Sequence, residues 1–212
     1  MTTRQLADRI GARARLAGAP LGSRELEQLA EYYQMLERWN RKFNLTSLSL
    51  LGAPDVTLDR LLMEPLVAAR TVADEPLDWA DFGTGGGSPA LPLKILRPQA
   101  RLTMVEARER KSAFLREVVV RLRIAGAVVV TARIEELPAI AGEQIFDMIT
   151  VRGVHLDAPT LGVAASLLKA RGQLLVFRSA GTPVLSNPRL KEIATRALEP
   201  SAGFLSTLQK AT

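Results

Sequence analysis

Apolar residues recur at helical spacing up to about residue 75, and beyond it they gather into short β-type runs separated by helical segments. In the stretch from Thr2 to Pro20, Leu6 and Ile10 fall on one helical face. Arg4, Arg9, Arg13 and Arg15 set among alanines superficially resemble a transit peptide, but Asp8 and the placement of the apolar pair favour an ordinary helix. Ser23 is placed to cap a second helix with Glu25 and Glu27 in its first turn and Leu26, Leu29, Tyr33 and Leu36 along one face. This helix is expected to end around Trp39-Asn40. The polar turn Arg41-Lys42-Phe43-Asn44-Leu45-Thr46 and a further helical region from about Asp55 to Val72 follow it. The pattern predicts an N-terminal helical cap over 1–74 and a main α/β domain over 75–212.

From Leu77 onward strands and helices alternate with short connections, which predicts a mostly parallel sheet covered on both faces. Strands are expected at Leu77–Phe82, Leu102–Glu106, Val128–Thr131, Phe146–Val151 and Gln173–Arg178. Helices are expected near Pro89–Leu96, Glu109–Ile124, Ala158–Ala170 and Arg189–Leu198, with Gly172 stopping the third of these.

The segment most loaded with chemistry is Asp81-Phe82-Gly83-Thr84-Gly85-Gly86-Gly87-Ser88-Pro89, between the first strand and the first helix of this domain. Gly83, Gly85 and Gly87 permit positive φ and let a ligand reach the main chain. Ser88 is placed to cap the helix, and Pro89 suits its first position. The dinucleotide pattern G-x-G-x-x-G requires glycine at position 88, where this chain has serine. The G-x-G-x-G spacing, with the acidic Asp81 at the strand end, is the usual form in S-adenosylmethionine-dependent methyltransferases. Glu106 ends the next strand about 20 residues further on, where a ribose-binding carboxylate belongs in a βαβ unit.

Composition narrows the chemistry. The 212 residues include no cysteine and one histidine, which removes disulfides, thiolate or histidine-rich metal centres, and methyl transfer through a cysteine adduct. No metal is expected. No apolar run approaches the roughly 18 residues of a membrane span, and a cytoplasmic monomer without membrane contact is expected. The 28 Lys+Arg against 22 Asp+Glu leave a net charge of +6, which suits RNA or DNA and equally an arginine-rich basic proteome. Aromatic residues make up only 5%, too few for a broad single-strand stacking platform.

In an open parallel sheet the ligand lies beyond the carboxyl ends of the strands. The residues there are Asp81 and Gly83, Glu106, Arg133-Ile134-Glu135, Arg152 and Arg178. Lys111 joins them, since it shares a helical face with Leu115, Val118 and Leu122 yet lies in the first turn. Arg110, Arg116, Arg121 and Arg123 scatter around the same helix and read as solvated surface.

Four ordered elements give the chain a family resemblance. Trp39-Asn40-Arg41-Lys42-Phe43-Asn44-Leu45-Thr46-Ser47, the glycine turn through Leu93, Lys111-Ser112-Ala113-Phe114-Leu115 and Arg133-Ile134-Glu135 resemble the bacterial small-subunit ribosomal RNA guanine-N7 methyltransferases, also called glucose-inhibited division protein B. The likeness spans roughly residues 25 to 180. It implies a class I, Rossmann-like fold, S-adenosyl-L-methionine as cofactor, and methylation of guanine N7 in a hairpin of 16S ribosomal RNA, free or in the 30S subunit. Cofactor contacts would fall on Gly83, Ser88, Ile134, Glu135 and Arg152, with Glu106 at the ribose, and Arg152 would bridge cofactor and RNA. Lys111, Arg152 and Arg178 are the candidates for orienting RNA.

Guanine N7 carries an in-plane lone pair and no proton, so the reaction needs no general base and no catalytic residue of that kind is assigned. The chain departs from the family pattern in three places. Arg60-Leu61-Leu62-Met63-Glu64-Pro65 stands where H-x-x-D-S is expected, Phe177-Arg178-Ser179-Ala180-Gly181 where a K-G pair is expected, and the final hairpin is poorly matched by Gly203–Lys210. A paralogue acting on another RNA and a non-catalytic RNA-binding protein on the same scaffold are the alternative readings.

Overall fold

The computed structural model describes residues 1–182 and 187–211. Seven strands form one sheet: β1 (Asp78–Phe82), β2 (Arg101–Val105), β3 (Ala127–Val130), β4 (Phe146–Arg152), β5 (Leu168–Ser179), β6 (Leu190–Ala197) and β7 (Gly203–Lys210). Their order is β3-β2-β1-β4-β5-β7-β6. The first five strands pair in parallel, while β7 runs antiparallel to both β5 and β6. Strand order reverses between β1 and β4, and in such sheets ligands bind above that reversal.

The helical first third comprises α1 (Thr3–Leu16), α2 (Ser23–Asn40), α3 (Asp55–Leu58) and α4 (Glu64–Ala68), with the π-turn Asp59–Met63 joining the last two. It forms a layer on one face of the sheet. Leu6, Ile10, Leu29, Tyr33 and Leu36 are buried in one continuous cluster with Trp79, Met104, Phe114 and Leu115. Burial of this apolar area is what attaches the layer, at about 25 cal/mol per Å². Arg9 adds an ion pair to Asp55 at 2.7 Å, and Arg13 adds another to Asp59. The opposite face buries Ala80, Phe82, Val105 and Ile149 against Leu161 and Ala165.

Among the described residues four more helices follow: α5 (Ala90–Leu96), α6 (Glu109–Arg121), α7 (Leu137–Ala141) and α8 (Ala158–Leu167). Leu115 and Val118 are buried on the expected face of α6, and Arg110, Arg116, Arg121 and Arg123 are exposed.

Several local expectations are corrected. The segment Arg189–Leu198 is strand β6, not a helix. Leu190, Ile193, Ala194 and Ala197 mimic a helical period, but pairing with β7 satisfies the backbone and the tertiary ladder overrides the local pattern. A hairpin therefore does close the chain. Helix α8 stops at Leu167, and Leu168–Arg171 already belongs to β5. Gly172 ends no helix. It sits where the β4–β5 register shifts, and a Cβ there would stand 2.9 Å from the Lys169 carbonyl oxygen. Ser23 is the first helical residue of α2, after an N-cap at Gly22. Pro89, not Ser88, is the N-cap of α5, and no side chain caps that helix.

The Trp39–Ser47 element is a structural lock. Asn40 Oδ1 accepts from the main-chain N–H groups of Leu45 at 2.8 Å and Thr46 at 2.9 Å. Trp39 packs at a tilt between Phe43 and Phe114. The turn so closed brings the Leu45 carbonyl to 3.4 Å from where a Cβ on Gly86 would stand. Asn40→Ala leaves two half-buried donors without their acceptor and is expected to destabilise the protein by about 1–3 kcal/mol. Urea unfolding of the variant beside wild type measures this.

Candidate active site

The turn between β1 and α5 is held open by glycines of two kinds. Gly83, Gly85 and Gly87 all have positive φ, at 63°, 57° and 95°. A Cβ on Gly87 would lie 2.5 Å from Leu91 Cδ1 and 3.2 Å from Tyr32, and one on Gly86 would lie 3.1 Å from Leu36 Cδ1. These two glycines admit the helical layer. A Cβ on Gly85 would instead meet only the Gly83 carbonyl oxygen at 3.6 Å and Lys111 Nζ at 3.9 Å. Gly83 faces Val154, whose Cγ2 lies 2.5 Å from the position of an added Cβ.

The ends of β1 and β2 are joined through Glu106. Its Oε2 accepts from Gly85 N and its Oε1 from Arg108 N, each at 2.9 Å. The carboxylate therefore faces the glycine turn, with Lys111 in the first turn of α6 beside it. One lone pair on each oxygen remains for a ligand hydroxyl. The structure thus brings Gly83, Gly85, Glu106 and Lys111 together. Ile134 and Glu135 open the 3₁₀ turn Ile134–Glu136 after β3, where Ile134 packs on the face shared by Phe82 and Val105 and Glu135 is exposed.

Beneath the turn lies a buried polar chain. Trp79 Nε1 donates to Thr150 Oγ1 at 2.8 Å, and Thr150 donates to Asp81 Oδ1. Asp81 Oδ2 has no partner among the described residues. Burial pushes the Asp81 carboxyl up to about 7, against the hydrogen bonds from Thr150 and Thr84 and the charge of Arg152. Tyr32 donates its hydroxyl to the Gly86 carbonyl at 2.6 Å, and burial raises its pKa.

Arg152 and Ser88 are placed differently from expectation. Arg152 turns inward: Nη2 donates to Glu64 Oε2 at 2.6 Å, Nη1 to the Arg60 carbonyl at 2.7 Å and to Ser88 Oγ at 2.9 Å. Its guanidinium lies 4.7 Å from the Phe177 ring centroid, and burial lowers its pKa to about 10. Both terminal nitrogens are thus engaged by Glu64, Arg60 and Ser88, while the buried Nε has no partner among the described residues. Ser88 in turn donates to the Leu61 carbonyl at 2.7 Å.

Glu64, fully buried, takes an ion pair from Arg60 at 2.7 Å and the hydroxyl of Ser201 at 2.6 Å as well. The stretch that departs from H-x-x-D-S is therefore an anchor joining α4, the glycine turn, β4 and the final hairpin. In the sequence Glu64 is only a departure from the family pattern, and the i,i+4 spacing of Arg60 and Glu64 is its one signal. Tyr32 and Val154 carried none.

Arg178 lies apart, on the hairpin side of the sheet. Its Nε donates to Ser206 Oγ at 2.8 Å, Nη1 donates to the Thr182 carbonyl at 3.0 Å, and its guanidinium lies over Phe204. Among the described residues, no group of three His, Cys, Asp or Glu side chains is placed to hold a metal, and no helix is long and apolar enough to cross a membrane.

The family model described as rRNA small subunit methyltransferase G (GidB) matches residues 25–198. The chain belongs to this family. Relatives named ribosomal RNA small subunit methyltransferase G include one from Ectopseudomonas mendocina, 35% identical over 150 residues, covering 71% of this chain and 67% of that one. Another, from Levilactobacillus brevis, is 34% identical over 176 residues, covering 80% of this chain and 72% of that one. Among solved structures, a SAM dependent methyltransferase from Aquifex aeolicus superposes with a TM-score of 0.59 at 12% identity, covering 73% of this chain and 92% of that one. The cyclase SpnF superposes at 0.58 with 15% identity, covering 74% of this chain and 82% of that one. Both show the fold alone; it is the sequence relatives that tie this member to its family. The fold is the expected class I methyltransferase type, with the glycine turn at its switch point.

The raised Asp81 carboxyl has a sign. Its neutral form favours the folded state, a contribution complete below about pH 4 and lost as the pH rises to about 7. Asp81→Asn removes this titration. Wild type is expected to lose stability relative to the variant across that interval, and denaturant unfolding at several pH values reads it.

Proposed function

We propose that the protein transfers a methyl group from S-adenosylmethionine to guanine N7 in the ribosomal RNA of the small subunit. The match over residues 25–198 supports the reaction class. The observation that carries the cofactor reading is the Glu106 carboxylate, aimed at the glycine turn and bonded to Gly85 N at 2.9 Å.

The residues present fit the cofactor. Gly85 leaves main-chain atoms uncovered on the side where a Cβ would meet no close atom, and Glu106 offers lone pairs to the two ribose hydroxyls. When bound, S-adenosylmethionine supplies a sulfonium methyl, which the N7 lone pair attacks as the carbon–sulfur electron pair returns to sulfur. No proton moves, so the chain's residues contribute alignment and exclusion of water. Lys111, beside Gly85, is the cation placed to hold an RNA phosphate near the methyl; the net charge of +6 favours the encounter. Arg178 is a second, more distant contact. Arg152 supports the site from below, through Ser88 and Glu64.

Methyl transfer from radiolabelled S-adenosylmethionine to small subunits lacking the modification, with nucleoside mapping of the product, tests the activity. Label at a base other than guanine, or no label, refutes it. Two variants test the site. Gly85→Asp is expected to abolish cofactor binding in calorimetry, because a carboxylate enters the turn beside Lys111 while the small Cβ itself meets no close atom. Normal affinity in this variant removes the assigned pocket. Lys111→Ala is expected to weaken RNA binding more than cofactor binding and to lower the salt slope by about one, as loss of one phosphate contact does. An unchanged slope in filter-binding titrations removes Lys111 from the interface.

A further inference from the structure

At the amino ends of β2 and β3, on the opposite rim of the sheet from the glycine turn, three helix ends enclose a small cavity of about 150 Å³. The start of α2 supplies Arg24 and Glu25, the end of α5 supplies Lys94, and the chain leaving α6 supplies Arg123. Gln28 Nε2 donates to the Leu122 carbonyl at 3.0 Å, which fixes α2 against the end of α6 and gives the cavity a set shape. The 18 residues of α2, about 27 Å at 1.5 Å per residue, lie between this place and the Trp39–Ser47 lock.

Two side chains here are costly to place. Lys94 is only 2% exposed, and its Nζ donates to the carbonyls of Pro98 at 2.7 Å and Ala100 at 2.6 Å. An ammonium carries three donors, so one N–H is left without a partner among the described residues. Burial lowers the Lys94 pKa, and a neighbouring anion would offset that. Arg123 has a φ of 52°. Its N–H donates to the Val120 carbonyl and that of Ile124 to the Val119 carbonyl, which closes α6 through a left-handed residue at the position glycine usually holds. An arginine there is strained where glycine would not be.

We infer that the cavity binds a phosphate group, either inorganic phosphate or a phosphate of an RNA backbone, held by Arg24, Arg123 and the remaining Lys94 N–H. Arg24, Lys94 and Arg123 form no ion pair among the described residues, whereas Arg116 and Arg121 on α6 pair with Glu109 and Glu31. The one carboxylate at the cavity, Glu25, is folded over Gly22, its Oε2 2.6 Å from where a Cβ on that N-cap would stand. Gly22 caps α2 with no side chain, so the positive end of an 18-residue helix adds to the three cations. The space admits a few waters or one phosphate group and is smaller than the roughly 300 Å³ of the smallest usual ligand pockets. Arginine forks match phosphate oxygens in pairs. Phosphate binding here is independent of the methyl-transfer reading; only the RNA backbone as its source rests on that reading.

Inorganic phosphate titrated at constant ionic strength, followed by phosphorus NMR linewidth and by the thermal unfolding midpoint, tests the site. Saturable binding is expected in wild type, unchanged by S-adenosylmethionine. Arg123→Gly keeps the fold, because glycine suits the backbone there, and is expected to weaken phosphate about tenfold, as loss of one charge-assisted hydrogen bond does. Arg24→Ala, on an exposed first turn, is expected to weaken it likewise, and Arg116→Ala to stay within about twofold of wild type. Absence of saturable binding, displacement of phosphate by S-adenosylmethionine, or an equal loss in Arg116→Ala overturns the site. Methyl transfer to small subunits separates the two sources. A KM for subunits raised about tenfold in Arg123→Gly, with phosphate competing against subunits in wild type, identifies the RNA backbone; an unchanged KM identifies inorganic phosphate. An inactive wild type that binds phosphate overturns the methyl-transfer reading alone, and an active one that does not bind it overturns the site alone.

Discussion

The main chain from Gly83 to Gly87 is compressed between the helical layer and the sheet, and everything functional in the molecule depends on that close approach. From one side Tyr32, Leu36 and Leu45 press on Gly86 and Gly87; from the other Glu106 pins Gly85 through its N–H. A side chain on Gly86 or Gly87 would run into the first of these contacts. The helical layer is thus a wall of the site, shaping from behind a turn that the sheet alone leaves unsupported. This explains why the Trp39–Ser47 element, remote in sequence, is as distinctive as the glycines: Asn40 sets the turn that places Leu45 against Gly86.

Charge buried beneath the turn is arranged around Glu64. Taking Glu64 and Arg152 out of water is unfavourable unless each finds several partners, and here they find each other together with Arg60, Ser88 and Ser201. Such a network is a poor source of net stability but a strict one for geometry. It ties α4, the end of β4, the glycine turn and the final hairpin to one point, so elements from four parts of the chain hold a common register. Asp81 Oδ2 and Arg152 Nε, both buried and without a partner among the described residues, are the tension left in this arrangement.

The features legible in sequence were those enforced by local chemistry. Gly83, Gly85 and Glu106 announced the switch point because a turn needing positive φ and a carboxylate one βα unit later have few other uses. The face of α6 carrying Lys111, Leu115 and Val118 followed from helical period alone. What stayed hidden was whatever depended on distant partners. Residues 190–197 carry a helical apolar spacing, and only β7, placed by the fold, makes them a strand. Arg152 sits at a strand end where ligand contacts are expected, yet its direction is decided by Glu64, 88 positions away. Gly87, one of the three alternating glycines, has no room for a Cβ because Leu91 and Tyr32 pack against it, a constraint that depends on distant partners and leaves no mark in the sequence.

In the proposed reaction, attack by guanine N7 moves a positive charge from sulfur to the purine without creating or removing one, so the demand on the protein is not to neutralise a developing charge. It is to keep the charges already present from shifting as the positive charge passes across the methyl from sulfur to the base. A buried ionic cluster cross-linked through Ser88 to the turn meets that demand better than mobile surface arginines, because its dipoles are fixed before the reaction begins. The inward turn of Arg152 is consistent with this division of labour: buried arginine holds the floor of the site rigid, and the half-buried Lys111 and Arg178 stand nearer the surface, where the polyanion would be met.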